Sequence, residues 1–326
     1  MPQSVERWVE RIRSGDSRAI ARAITWVEDE APEAAALLNA LRPVAGGAYR
    51  IGLTGPPGVG KSSLTDRLIR LLRGLGHRVG VVAVDPTSPF TGGALLGDRV
   101  RMVDHALDPG VFIRSMGTRG RLGGLARSTK DVLDLLDAAG YDVVIAETVG
   151  VGQSELDVVH AVDTVILALG PAGGDQVQML KAGIMEIADI FVVNKADLPG
   201  ADRTVRLIRY MVDLAHRRGW RPPVLAASAS EGRGVEDLWE QILRHRTYLE
   251  ESGEGRKRRL RRVEDAVWDQ VLARVQGAFL QWKAARPDWE RVLEEVANGR
   301  RGLEDVVDEI LHSLDFSAGK AEGGVL

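Results

Sequence analysis

The residues with the most evident chemistry are Gly55-Pro56-Pro57-Gly58-Val59-Gly60-Lys61-Ser62, followed by Ser63. The spacing G-x-x-x-x-G-K-S is that of a phosphate-binding loop. Glycines let such a loop wrap a phosphate with successive backbone N–H groups turned inward, and the helix that follows adds its positive N-terminal end. In that arrangement Lys61 reaches the outer phosphates and the Ser62 hydroxyl binds Mg²⁺. A second group, Asn194-Lys195-Ala196-Asp197, follows an apolar run downstream. A carboxylate at Asp197 can accept from guanine N1–H and the exocyclic amine together, and adenine presents no such donor pair. The Lys195 stem would cover the base face, Asn194 would brace the loops, and Ser228-Ala229 would turn a backbone N–H toward the guanine oxygen. Together these residues predict a site for GTP or GDP.

The third group supplies hard oxygen ligands. Glu147-Thr148-Val149-Gly150 ends another apolar run. Most GTPases read D-x-x-G at this place: the acid holds Mg²⁺ through water, and the glycine N–H senses the γ-phosphate. Asp85, Asp98 and Glu147, with Ser62, make an oxygen set suited to Mg²⁺. Lys61, Asp98, Glu147 and Gly150 are therefore the expected catalytic residues. No glutamine directly follows Gly150, and Gln153 lies three residues on. Without an evident water-positioning residue, slow intrinsic hydrolysis is expected. A positioned arginine raises such rates about 10³–10⁵-fold, and Arg99 and Arg119 are the local candidates.

Alternating elements must position these groups. From Tyr49 to about Leu249, short runs rich in Val and Ile (51–54, 79–84, 111–113, 143–146, 164–169, 190–193 and 224–227) alternate with amphipathic stretches (61–73, 122–139, 176–187, 203–216 and 235–246). This order predicts an α/β domain: a mostly parallel sheet with helices on both faces and ligands at the carboxyl ends of its strands. Upstream, residues 4–41 are helical in pattern, with one helix through Val5, Trp8, Val9 and Ile12 and a second through Ile20, Ile24 and Val27. Downstream, 256–282 reads as one long helix with Val263, Val267, Val271, Val275, Ala278 and Trp282 on a stripe. Pro287 begins another helix, and Gly302 separates a third. The expected domains are an N-terminal helical extension over 1–47, a P-loop domain over 48–250 and a C-terminal helical arm over 251–326 with a frayed tail.

Composition narrows the classes. The chain has 326 residues and no cysteine, so disulfides, thiolate zinc sites and a cysteine nucleophile are excluded. A net charge of -3 gives no general attraction to nucleic acid or an anionic membrane. The basic run Arg256–Arg262 reads as a solvated helix face rather than an RNA site. The N-terminal stretch lacks the apolar core of a signal peptide, and no run reaches a membrane span. A cytoplasmic protein is expected. The six His are scattered. Tryptophan is over-used, 7 Trp against 5 Phe and 4 Tyr. Trp8, Trp26, Trp268, Trp282 and Trp289 fall in the helical flanks, where aromatic anchors favour buried contacts and interfaces. Trp268 and Trp282 are expected near a contact between two subunits.

Several longer motifs resemble the MeaB/ArgK family of P-loop GTPases, chaperones of cobalamin-dependent acyl-CoA mutases. They are the phosphate loop at 55–62, V-D-P-T-S at 84–88, T-G-G-A-L-L-G-D-R at 91–99, E-T-V-G-V-G-Q-S-E at 147–155, G-D-Q-V-Q at 174–178 and N-K-A-D at 194–197. The resemblance runs from about Ser14 to Leu314. It implies a GTPase core, an N-terminal helical extension and a C-terminal arm that forms a homodimer. It also implies GTP hydrolysis stimulated by a methylmalonyl-CoA mutase-type partner, whose cobalamin delivery the chaperone gates and which it protects. Asp175, Gln178 and Lys181 are the candidates for signalling to that partner. No D-x-H-x-x-G motif occurs, so cobalamin is expected on the partner and not on this chain.

Two other functions share this core. A nickel or cobalt metallochaperone GTPase would carry a Cys or His cluster, which the sequence lacks. A protein kinase of amino-acid transport fits N-K-A-D poorly, and no phosphoacceptor-binding site is evident.

Overall fold

The computed structural model describes residues 4–85, 105, 107–117, 124–148, 161–171, 184–215 and 219–314. Seven strands build one sheet: β1 (Tyr49–Thr54), β2 (Val79–Asp85), β3 (Val111–Gly117), β4 (Val143–Thr148), β5 (Thr164–Leu169), β6 (Ile190–Val193) and β7 (Val224–Ala226). Their order is β3-β2-β4-β1-β5-β6-β7, and every pairing is parallel. The sheet is thus wholly parallel, and its central strands are buried along their whole length. Such strands read as near-continuous apolar runs, because helices cover both faces.

Side-chain alternation sorts those runs onto the two faces. Val143, Ile145, Ile166, Ala168, Ile190 and Val192 join a core with Leu64 and Leu68 of α4 (Lys61–Gly74) and Leu238 and Ile242 of α7 (Val235–Glu251). Val144, Ala146 and Val165 join another core with Leu133 and Leu136 of α5 (Gly124–Ala138). Phe191 and Val193 pack with Val205 and Ile208 of α6 (Ala201–Ala215).

The N-terminal segment forms three helices, α1 (Val5–Arg13), α2 (Ser17–Glu28) and α3 (Pro32–Leu41), one more than the apolar spacing indicates. Asp16 caps α2 by accepting from the Arg18 and Ala19 N–H groups. Glu30 takes a left-handed φ of 51 before the chain restarts at Pro32, a residue suited to the first helical turn. Ile12, Ile20, Ile24 and Leu37 join the same core as α5, and Trp8 meets Trp26 edge-on at 4.5 Å. The linker is tied down as well. Asp137 accepts from Gly47 and Ala48 N–H, each at 2.9 Å, and from Arg50 at 3.0 Å.

The chain divides into two compact units, 1–258 and 259–326. The long helix α8 (Glu254–Ala284) starts in the first and runs into the second, where α9 (Trp289–Ala297) and α10 (Leu303–Ser313) follow. In the second unit Trp282 lies edge-on to Trp289 at 5.6 Å, Arg286 stacks on Trp282, and Glu309 pairs with Arg286 and Arg301. No residue of α8 is buried, and Val263, Val267, Trp268 and Val271 are exposed. The helix expected over 176–187 falls mostly outside the described residues, and its described end, Ile184–Glu186, is a 3-10 turn. No described helix is long and apolar enough to cross a membrane.

Candidate nucleotide-binding and active site

The predicted groups converge at the carboxyl ends of β1, β4, β6 and β7. β1 ends at Thr54 and passes into Gly55–Gly60, from which α4 starts at Lys61. Glycine is required twice by geometry. Gly55 has φ 147, and a Cβ there would lie 2.0 Å from the Ala168 carbonyl oxygen; Gly60 has φ 89, and a Cβ would lie 2.6 Å from the Asn194 amide nitrogen. The loop can therefore curl against β5 and the Asn194 turn. Pro56 and Val59 are buried, while Pro57, Gly58 and Ser63 are exposed. The Lys61 ammonium is buried and donates to the Gly55 and Pro56 carbonyls at 2.7 and 2.9 Å. A cation is thereby held inside the loop whose N-terminal helix end also favours anions.

Glu147, near the end of β4, is 5% exposed and faces α4. Its Oε1 accepts from Ser62 Oγ at 2.6 Å and its Oε2 from Thr65 Oγ1 at 2.7 Å. Alongside, Thr148 donates to Thr54 across the β1–β4 pairing at 2.9 Å. A serine hydroxyl beside a buried carboxylate is an all-oxygen donor set, which fits a hard cation such as Mg²⁺.

The residues expected to read a base form one connected unit. Asn194 follows β6, and its amide donates to the Val59 and Gly60 carbonyls at 2.9 and 3.2 Å. Its oxygen accepts from Ala229 N–H at 3.1 Å. One side chain thus joins the phosphate loop to the Ser228-Ala229 turn. Lys195 adopts φ 58, unusual for a residue with a Cβ, and donates to the Gly58 carbonyl at 2.8 Å. Asp197 accepts from Ser228 Oγ at 2.6 Å. That hydrogen bond, helped by a backbone N–H, holds the Asp197 carboxyl below its ordinary range. It is ionised at neutral pH and can accept from two donors.

Of the residues expected in the site, Lys61, Ser62, Glu147, Asn194, Lys195, Asp197, Ser228 and Ala229 stand close together. Asp85 closes β2, but its side chain lies outside the described residues, as do Asp98, Gly150, Asp175, Gln178 and Lys181, together with Arg99, Arg119 and Gln153. Among the described residues no group of three or more His, Asp or Glu could by itself hold a metal. Two contributors escape motif reading. Thr65 reaches Glu147, and Arg67 donates to the Ala229 and Ser230 carbonyls at 2.7 and 2.9 Å. The signal for Thr65 is its place three residues after Ser62, on the same helix face.

Residues 20–284 match the family described as Methylmalonyl Co-A mutase-associated GTPase MeaB. The chain belongs to the MeaB family of GTPases. A relative of this MeaB-family chain in Pyrococcus horikoshii is 52% identical over 316 residues, covering 96% of this chain and 99% of that one. GTPase ArgK of Escherichia coli is 42% identical over 271 residues, covering 80% and 81%. Among solved structures, the crystal structure of LAO/AO transport system kinase matches with a TM-score of 0.71 at 30% identity, over 94% of this chain and 96% of that one. The MeaB-family fold is thus that of a P-loop GTPase with helical segments before and after its sheet.

Proposed function

We propose that this MeaB-family GTPase hydrolyses GTP slowly on its own and faster with a cobalamin-dependent acyl-CoA mutase, gating cobalamin delivery to that partner and protecting it. One observation supports the nucleotide reading: Asn194 bonds both the Gly55–Gly60 loop and the Ala229 turn, so that phosphate and base recognition would share one frame. The mutase reading draws support from the family's description, which names methylmalonyl-CoA mutase.

In this reading the Gly58, Val59 and Gly60 N–H groups and Lys61 bind the phosphates, and Asp197 and Lys195 select guanine, while the Ala229 N–H, expected to face the guanine oxygen, is held by Asn194. Ser62 and Glu147, with Asp85 and Asp98, would hold Mg²⁺. When bound there, Mg²⁺ would supply positive charge against the charge that develops on the phosphates. Lys61 moves from the Gly55 and Pro56 carbonyls to a phosphate oxygen, exchanging neutral acceptors for a charged one. Gly150 would sense the γ-phosphate, and Asp175, Gln178 and Lys181 would relay its presence to the mutase. Cobalamin stays with the partner.

The exposed apolar positions of α8 support a homodimer built on the 251–326 arm. The segment 1–47 and the domain 48–250 would then act as one nucleotide-responsive body.

The test is GTP turnover by the purified chain, alone and with each acyl-CoA mutase encoded nearby in its genome, together with pull-down. Stimulation and capture by one mutase are expected. Turnover that no mutase alters, with none captured, removes the chaperone reading but leaves the GTPase.

A further inference from the structure

Thr65 is fully buried among apolar neighbours, including Leu64, Leu68 and Ile69 of its own helix. A hydroxyl in such a place costs free energy unless it is bonded. The usual partner of a helical threonine is the carbonyl four residues back. Thr65 instead spans to the neighbouring strand and donates to Glu147 Oε2 at 2.7 Å. Ser62, one turn earlier, donates to Oε1 at 2.6 Å. The carboxylate is thus gripped at both oxygens by one helix face.

Glutamate explains the need. It carries one more rotatable bond than the aspartate usual at this place, so a single hydrogen bond leaves its carboxylate free to turn. Two bonds from residues three apart on a rigid helix fix both its position and its plane. We propose that Thr65 is a positioning residue for the metal site: it locks the Glu147 carboxylate so that the oxygen beside Ser62 stays available for Mg²⁺. The proposal rests on reading Ser62 and Glu147 as residues of that site. Partners that orient a metal-holding carboxylate typically contribute about 10–100-fold in metal affinity.

The experiment uses the full chain loaded with GDP and Mn²⁺ as the probe, with free Mn²⁺ counted by electron paramagnetic resonance. Thr65→Val keeps the shape and removes the hydroxyl; Thr65→Ser keeps the hydroxyl. Thr65→Ala serves if valine disturbs α4. Thr65→Val is expected to weaken Mn²⁺ binding about tenfold or more. GDP affinity in excess chelator should stay within about twofold of the parent, and Thr65→Ser should hold Mn²⁺ within about threefold. Parent-like Mn²⁺ binding by Thr65→Val overturns the proposal. So does equal loss in Thr65→Val and Thr65→Ser, which would mean packing rather than the hydroxyl. A parent protein that binds GDP but takes up no Mn²⁺ with it overturns the metal-site reading itself, and the proposal with it.

Discussion

Removing Arg258 should destabilise the chain by about 2 kcal/mol while leaving its GTPase chemistry untouched. Arg258, in the first turns of α8, donates both terminal nitrogens to Asp189 at 2.8 Å and one of them also to the Asp163 carbonyl at 2.7 Å. Asp189 further accepts from Val165 N–H at 2.9 Å, and His245 Nε2, fully buried, stands 3.3 Å away. Truncating one partner of a buried ion pair costs about 3–5 kcal/mol. The Asp189 side chain is 8% exposed, but that of Arg258 is 32% exposed, and water screening lowers the figure to about 2 kcal/mol. For a chain of 326 residues that is a fall in Tm of about 3 °C. The pH dependence has a fixed sign. Burial pushes the Asp189 carboxyl up, but the Arg258 hydrogen bonds and charge, with the His245 ring alongside, outweigh burial and hold it below its ordinary value. A carboxyl depressed in the folded state stabilises fully above its unfolded pKa, near 4, and loses that contribution as pH falls through the folded value. The gap between parent and Arg258→Ala should therefore be widest near pH 7 and shrink below about pH 4. Asp189 and Asn194 stand at opposite ends of β6, roughly 16 Å apart at strand rise, so kcat and KM for GTP at 25 °C should be unchanged. Thermal melts over pH 3–8 and steady-state GTP hydrolysis are the assays. A Tm within about 1 °C of the parent at pH 7, or a gap that grows on acidification, would refute the reasoning.

Asp197→Asn should weaken GDP binding by at least about 10²-fold in equilibrium dialysis and recover binding with xanthosine diphosphate, whose ring carbonyl accepts from an amide where guanine offers a donor. Asn194→Ala should raise KM for GTP and lower kcat together, since it releases both the Gly60 carbonyl and the Ala229 N–H; a change confined to one kinetic parameter would contradict a shared frame. Lys181→Ala should leave basal GTP hydrolysis intact and abolish stimulation by the mutase, and stimulation that survives ends that role. Light scattering at micromolar concentration should find a dimer that Trp268→Glu and Val271→Glu convert to a monomer.

The sheet was legible because its strands are buried on both faces. The runs at 164–169 and 190–193 match β5 and β6 to the residue. At β3 the apolar run stops at Ile113, yet the strand continues through Arg114 to Gly117. Arg114 can remain in an edge strand because Glu28 of α2 pairs with it, a contact made only once the N-terminal helices have docked. The same limit hid the Asp189 cluster. Its members, at 163, 164, 189, 245 and 258, share no local spacing, and only closure of β5, β6, α7 and α8 joins them.

The nucleotide site shows where motif reading ends. Gly55, Gly60, Lys61, Ser62, Asn194 and Asp197 are visible from sequence because they stand in two short motifs whose residue types are restricted at fixed spacing, by backbone geometry at the glycines, by the bracing bonds of Asn194 and by the expected ligand at the others. Thr65 and Arg67 meet only protein atoms, Glu147 and the Ala229 and Ser230 carbonyls, so many residue types could stand there in another chain. Their requirement arises from particular choices elsewhere. A glutamate at 147 needs a second anchor that an aspartate would not, and the exposed turn after Ala229 needs a donor to fix its carbonyls. Thr65 and Glu147 should therefore be energetically coupled. With Asp at 147 the shorter side chain no longer reaches Thr65 Oγ1, and Thr65→Val should then cost little further Mn²⁺ affinity. Additive losses in that double-mutant cycle would mean that the two side chains act separately.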